Sequence, residues 1–154
     1  MRAADSRKAA AALVAVLALG CASLQAQIAV IVNRSNPTGD FTLADLERLY
    51  LGRVTTFAAG RSVALGEYSP ARRAFYRAVL HTSETAVSRH WIGVVFSERN
   101  ATPPREFRDA QAVLRFVAST PGAICFIDVA AVSDDVKIVT IGGLGPRDPG
   151  YPLR

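Results

Sequence analysis

Ser69, Pro70, Ala71, Arg72 and Arg73 are the run of this sequence whose residue types are best suited to binding chemistry. Ser before Pro marks a strong helix start, with Ser69 as N-cap and Pro70 at the first helical position. A helix start presents free N–H groups and a partial positive charge. The Ser69 hydroxyl and the Arg72 guanidinium, with Arg73 beside it, would add donors for a small anion. The same residues have a plainer use, in which Ser69 caps its own helix and the two arginines are solvated helix charges. Glu67 nearby and the lack of a glycine in the run weigh against an anion cradle. As an exposed ion pair with Arg72, Glu67 would contribute little.

Asn33, Ser35 and Asn36 form the second candidate group. They follow the first apolar run, where open α/β sheets place binding loops. Their plainer use is turn formation before Pro37. The remaining reactive side chains do not assemble. His81 and His90 are nine positions apart with no Cys or carboxylate at ligand spacing, which argues against a zinc site, and His81 is placed to cap a helix end. Cys125 lies inside the apolar run Ala123–Ile127 and reads as a small buried hydrophobe. No G-x-S-x-G is present, and Gly142-Gly143-Leu144-Gly145 precedes Pro146 with no helix to follow, so it is no nucleotide loop. Neither an enzyme nor a cofactor is indicated.

The elements that would position these residues follow from periodicity. Ile28–Val32 is a continuous β-branched run, the mark of a strand buried on both faces. Thr42 with Asp45 makes a capping-box variant, Phe41 and Leu46 are placed as a hydrophobic staple, and Gly52 stops the helix between. Residues 61–65 read as a second strand, and the Ser69 helix runs to about Leu80. Thr82 or Ser83 caps the next helix, with Val87, Trp91, Val94 and Val95 at i, i+4, i+7 and i+8. Asp109 caps a further helix with Ala110, Val113, Leu114 and Val117 inward, closed by Pro121-Gly122. Strands at 123–127 and 136–141 follow, then a turn-rich tail. Strands separated by helices predict an α/β fold with a small, mostly parallel sheet.

The 154 residues amount to one domain plus a targeting segment. Arg2, Arg7 and Lys8 precede the twelve-residue apolar stretch Ala9–Gly20 and the small residues before Ala26, the layout of a signal peptide. Cleavage after Ala26 would leave 27–154 as the exported domain. The alternative reads Ala18-Leu19-Gly20-Cys21 as a lipobox with Cys21 lipidated, although Ala18 stands where Leu is preferred. The whole chain has a formal charge of +5, and removing residues 1–26 lowers it to +3. No block of five like charges exists, so nucleic acid is not an expected partner.

In this order, the residues have a familiar look. IAVIVNRSNP followed by FTLADLERLYLGRVTTF resembles the second lobe of the phosphate-binding proteins of ABC transporters, in the type 2 periplasmic-binding-protein fold. Leu43, Leu46, Leu49, Tyr50, Leu51, Gly52, Arg53, Val54 and Thr55 match that family's L-x-x-L-x-x-[IL]-[FY]-L-G-[KR]-[IV]-T helix. Trp91 with the 96–104 loop, Pro121-Gly122-Ala123-Ile124 and Tyr151-Pro152-Leu153 are similar to further family features. The resemblance implies one lobe of a two-lobed fold and a non-enzymatic solute-binding role in transport or sensing of a small anion such as phosphate. Ser69, Arg72, Asn33 and Ser35, chosen from residue type and placement and not carried over from the family's site, would be the ligand contacts, and a membrane permease or sensor the partner. A homodimer would supply the missing lobe. The family's R-x-x-x-S-G-T phosphate loop is replaced here by residues 65–73, which lack its Arg, Gly and Thr and offer Glu67. That departure keeps open a second expectation, a protein-interaction or sensor module that has lost small-molecule binding.

Overall fold

The computed structural model describes residues 27–97 and 100–154. The expected signal peptide, its cleavage point and Cys21 lie outside them. A five-stranded sheet is built from β1 (Ile28–Asn33), β3 (Ala64–Tyr68), β4 (Arg105–Phe107), β5 (Ala123–Asp128) and β6 (Val136–Ile138), in the order β4-β3-β5-β1-β6. β3 pairs in parallel with both β4 and β5, whereas β1 is antiparallel to both β5 and β6. Four of the five strands therefore run one way and β1 alone runs against them. A small parallel pair, β2 (Asp40–Phe41) and β7 (Thr140–Ile141), stands apart.

Every residue of β1 is buried, as its unbroken apolar run requires. One sheet face carries Val30, Val32, Ile124 and Phe126 against helices α1 (Leu43–Tyr50), α2 (Ser69–Leu80) and α3 (Glu84–Phe96). Aromatic rings fill this side, with Phe75 stacked on Phe126 at 3.9 Å between centroids. The buried Tyr50 hydroxyl donates to Gly66 O at 2.9 Å, so its polar end is not orphaned. The opposite face, with Ala29, Ile31, Cys125 and Ile127, packs against α4 (Ala110–Ser119) through Val113, Leu114 and Val117. The C-terminal residues close the first face. Leu153 O accepts from Ile28 N at 3.1 Å, and the Tyr151 hydroxyl donates to Ile28 O at 2.8 Å.

Local signals act where they were expected at three helix starts. Thr42 and Asp45 form a reciprocal capping box, Ser83 accepts from Ala86 N, and Asp109 accepts from Ala112 N. Gly52 ends α1 at φ +66°, and a β-carbon there would sit 2.7 Å from Trp91 Cη2, so both backbone conformation and close packing demand glycine.

The differences are instructive. The second strand is 64–68 rather than 61–65, because Ala64 is the residue that registers with Ala123. Ser69 is the first residue of α2 and not its cap: Tyr68 takes the cap position with no side-chain bond, and Pro70 is the second helical residue. Val95 faces outward. The last strand is split into β6 and β7 at Val139, whose N–H donates to Val30 O while Ile141 leaves the main sheet to pair beside β2. β2 and β4 are too short to carry a periodic signal of their own.

Candidate functional site

Glu67 ends up buried at the carboxyl end of β3, inside the strand and one residue before the turn into α2. A buried carboxylate must find donors, and α2 supplies them at helical spacing. Arg72 Nη1 donates to Glu67 Oε1 at 2.9 Å, and the Tyr76 hydroxyl donates to Glu67 Oε2. Arg72 and Tyr76 are four apart, on one helix face.

Arg72 is bound on its other sides as well. Its Nε donates to Glu84 Oε2 at 3.0 Å from the start of α3, and its Nη1 lies 3.5 Å from Glu106 Oε2 on β4. Ser69 Oγ donates to Glu106 Oε1 at 2.8 Å, and Arg73 Nε reaches Glu84 Oε1 at 3.3 Å. Three carboxylates thus converge on one guanidinium at the edge of a groove of about 530 Å³, which Trp91, Pro103 and Pro104 also line.

The titration tendencies agree with this geometry. Burial disfavours the charged form of Arg72, but its bonds to Glu67 and Glu84 outweigh that and raise its pKa. Burial, then the bond to Glu67, pushes the Tyr76 phenol far above its ordinary value. The Ser69 hydroxyl holds Glu106 below the usual carboxylate range. Arg72 and Tyr76 therefore keep their protons at neutral pH and Glu106 stays ionised, so these three are fixed members of an ion-pair network. An entering anion would have to displace Glu84 or Glu106 from Arg72 and would meet the repulsion of the carboxylates that stay.

Asn33 and Ser35 are at the other end of the sheet. Val32 lies opposite Ile124 and Ala64 opposite Ala123, so Asn33 is level with the beginning of β3, whereas Ser69 follows its end. The reversed direction of β1 causes this separation. Asn33 Nδ2 donates to Val117 O and Ala118 O, both at 2.8 Å, and its Oδ1 accepts from Ser35 N and Ser35 Oγ. Ser35 Oγ also accepts from Arg61 Nη1 at 3.0 Å. The four sequence-selected residues therefore divide into two pairs that do not meet.

Sequence reasoning missed Glu84, Glu106 and Tyr76. The i, i+4 spacing of Arg72 and Tyr76 was a usable signal. Glu106 carried none, because β4 is set by pairing with β3. His81 takes the C-cap position of α2 in the left-handed region at φ 53°, and His90 Nε2 lies 2.9 Å from Leu51 O. Among the described residues no group of His, Cys, Asp or Glu is arranged to hold a metal ion.

No family model and no curated protein sequence matches the chain. Solved structures do match. An ABC-type phosphate transport receptor from Vibrio cholerae superposes with a TM-score of 0.63 at 19% identity, over 78% of this chain and 48% of the receptor. A Clostridium perfringens protein assigned as a phosphate ABC transporter substrate-binding protein, solved with phosphate bound, gives 0.62 at 20%, over 78% and 46%. PstS from Borrelia burgdorferi gives 0.63 at 9%, over 82% and 53%. The chain has the fold of one periplasmic-binding-protein lobe. It spans about half the length of the structures it matches, which are transport receptors and substrate-binding proteins rather than enzymes.

Proposed function

We propose that this chain is an exported, non-enzymatic solute-binding-type protein that serves the transport or sensing of a small anion, phosphate or similar. The observation that carries this reading is the half-length superposition on phosphate transport proteins by a chain folded as one lobe. Ser69 and Arg72 at the carboxyl end of β3, beside a helix start, occupy the kind of position where open α/β sheets take their ligands. A single lobe leaves that position open to water, where charge-assisted bonds are weakened. Tight capture would call for a second lobe from a homodimer. A membrane permease or sensor is the natural downstream partner. Export after Ala26, or anchoring through Cys21, belongs to the same proposal, and no helix among the described residues is long and apolar enough to cross a membrane.

A specific observation favours a second reading, an interaction or sensor module that has given up small-molecule binding. Arg72 is already neutralised by Glu67, Glu84 and Glu106, which stand where an anion's oxygens would be needed. Calorimetric titration of the exported chain with phosphate and then sulfate, with its mass followed by light scattering, separates the two. Saturable micromolar binding that is lost in Ser69→Ala with Arg72→Ala establishes anion capture, and a dimer in the same sample identifies the second lobe. Absence of heat at millimolar anion from a folded monomer discards anion capture in favour of the module.

A further inference from the structure

A further cavity lies away from the site described above. It is a groove of about 660 Å³ along the outer edge of β6, walled on the far side by residues 145–148. Among the described residues β6 has a strand neighbour on one side only, β1. Val139 N donates to Val30 O at 3.0 Å, and the register continues through Ile138 opposite Ile31 and Lys137 opposite Val32. In an antiparallel ladder inward and outward backbone groups alternate. Val139 and Lys137 therefore bond to β1, and the N–H and C=O of Ile138 point away from it, between Val136 N, which donates to Ser133 O, and Thr140 N, which donates to Gly39 O. The Ile138 side chain is 40% exposed there.

Charge says what would fit. Arg34, Lys137 and Arg147 line the groove, against Asp134 and Asp148. Three cations against two carboxylates leave the cationic side in excess by one, with Arg34 also donating to Asp134 O and Lys137 Nζ to Asn36 O. Edge-to-edge pairing with a second copy would bring these cations against each other, so the electrostatics disfavour self-association through β6. A strand carrying carboxylates would instead find backbone partners at Ile138, apolar contact with Ile138 and Val132, and cations at the rim.

We propose that the β6 edge is a docking site for an extended, acidic segment of a partner protein, which adds to the sheet as a sixth strand. This reading is independent of anion capture at Arg72, because it uses other residues at the opposite edge of the sheet. The probe is an acetylated, amidated seven-residue peptide alternating Val and Glu, titrated by calorimetry into the full chain and followed by amide exchange. Micromolar binding is expected, with the Ile138 amide newly protected and the ladder-bonded Lys137 amide unchanged. Affinity should fall at least tenfold in Ile138→Pro, which removes a donor that β1 does not use, and in Arg34→Glu with Arg147→Glu. The wild-type protein should also reject the same peptide N-methylated on alternate residues, a control that does not depend on any variant folding. Equal binding of the Val/Lys counterpart, or retained binding of the N-methylated peptide, would overturn strand addition. So would absence of binding by the Val/Glu peptide at millimolar concentration.

Discussion

The two ends of the central sheet hold equally polar clusters, and they satisfy their buried groups by opposite means. At the carboxyl end of β3 everything is charged, with Arg72 among Glu67, Glu84 and Glu106. At the far end the Asn33 knot is built from neutral groups, with one cation, Arg61, at its exposed Ser35 rim. One amide holds two α4 carbonyls with its nitrogen and the Ser35 turn with its oxygen. Neutral hydrogen bonds are insensitive to salt and pH, and they depend on geometry. Ion pairs of intermediate exposure respond to both. The neutral end is thus built to hold a helix to the sheet, and the charged end is the one a ligand or solution condition can reach.

The sharpest break in this comparison is Asn33→Ala. It strands Val117 O and Ala118 O and frees the Ser35 turn, so a loss of about 2–3 kcal/mol is expected from the cost of unpaired buried groups. Chemical denaturation measures it, and a change below half a kilocalorie would mean that the α4 carbonyls find other partners. Arg72→Met comes next. It leaves three carboxylates facing one another, and with Arg72 partly exposed the expected loss is about 1–2 kcal/mol, below the range for fully buried pairs. Adding Glu67→Gln to Arg72→Met should recover part of that loss, because the double variant no longer buries an uncompensated charge. If the two losses simply add, the pair is not coupled. Ser69→Ala is expected to cost only about 0.5 kcal/mol, less than a true N-cap would, since its hydroxyl serves Glu106 and not the helix.

The smallest effect is in pH. The folded-state pKa of Glu106 is lowered, so its contribution is complete above the ordinary carboxylate value of 4.5 and is lost as pH falls through its folded value. Acidification below that value should therefore loosen β4 and the start of α2 before it touches the Asn33 end. Amide exchange at a series of pH values down to about 3 reads this directly. Simultaneous opening of both ends would show that the sheet transmits the loss as one unit.

Much of the frame was legible because it depends on short-range chemistry. The capping residues Thr42, Ser83 and Asp109 act on backbone N–H groups three positions away, and the β-branched run of β1 announces a strand buried on both faces wherever it is placed. The ends of β3 and α2 were legible only approximately. Ser69-Pro70 has the composition of a cap and first turn, yet pairing of β3 with β4 as far as Tyr68 moves the cap back one residue and frees the Ser69 hydroxyl for Glu106. Of the site, Arg72 and Ser69 were visible from residue type, whereas the carboxylates that neutralise Arg72 come from three separate elements.

By itself the sequence determined where most helices begin, which faces are apolar, and that strands and helices alternate in an α/β arrangement. It also held a resemblance in fold that the solved phosphate transport proteins share. Only the tertiary structure decided that β1 runs against the other four strands. Strand direction is set by which partners complete the backbone hydrogen bonds of a residue run, and that information is spread over residues about a hundred positions apart. Reversal of β1 carried Asn33 and Ser35 to the opposite end from Ser69 and Arg72. The same long-range pairing brought Glu106 to Arg72 and left the outer edge of β6 without a strand neighbour among the described residues.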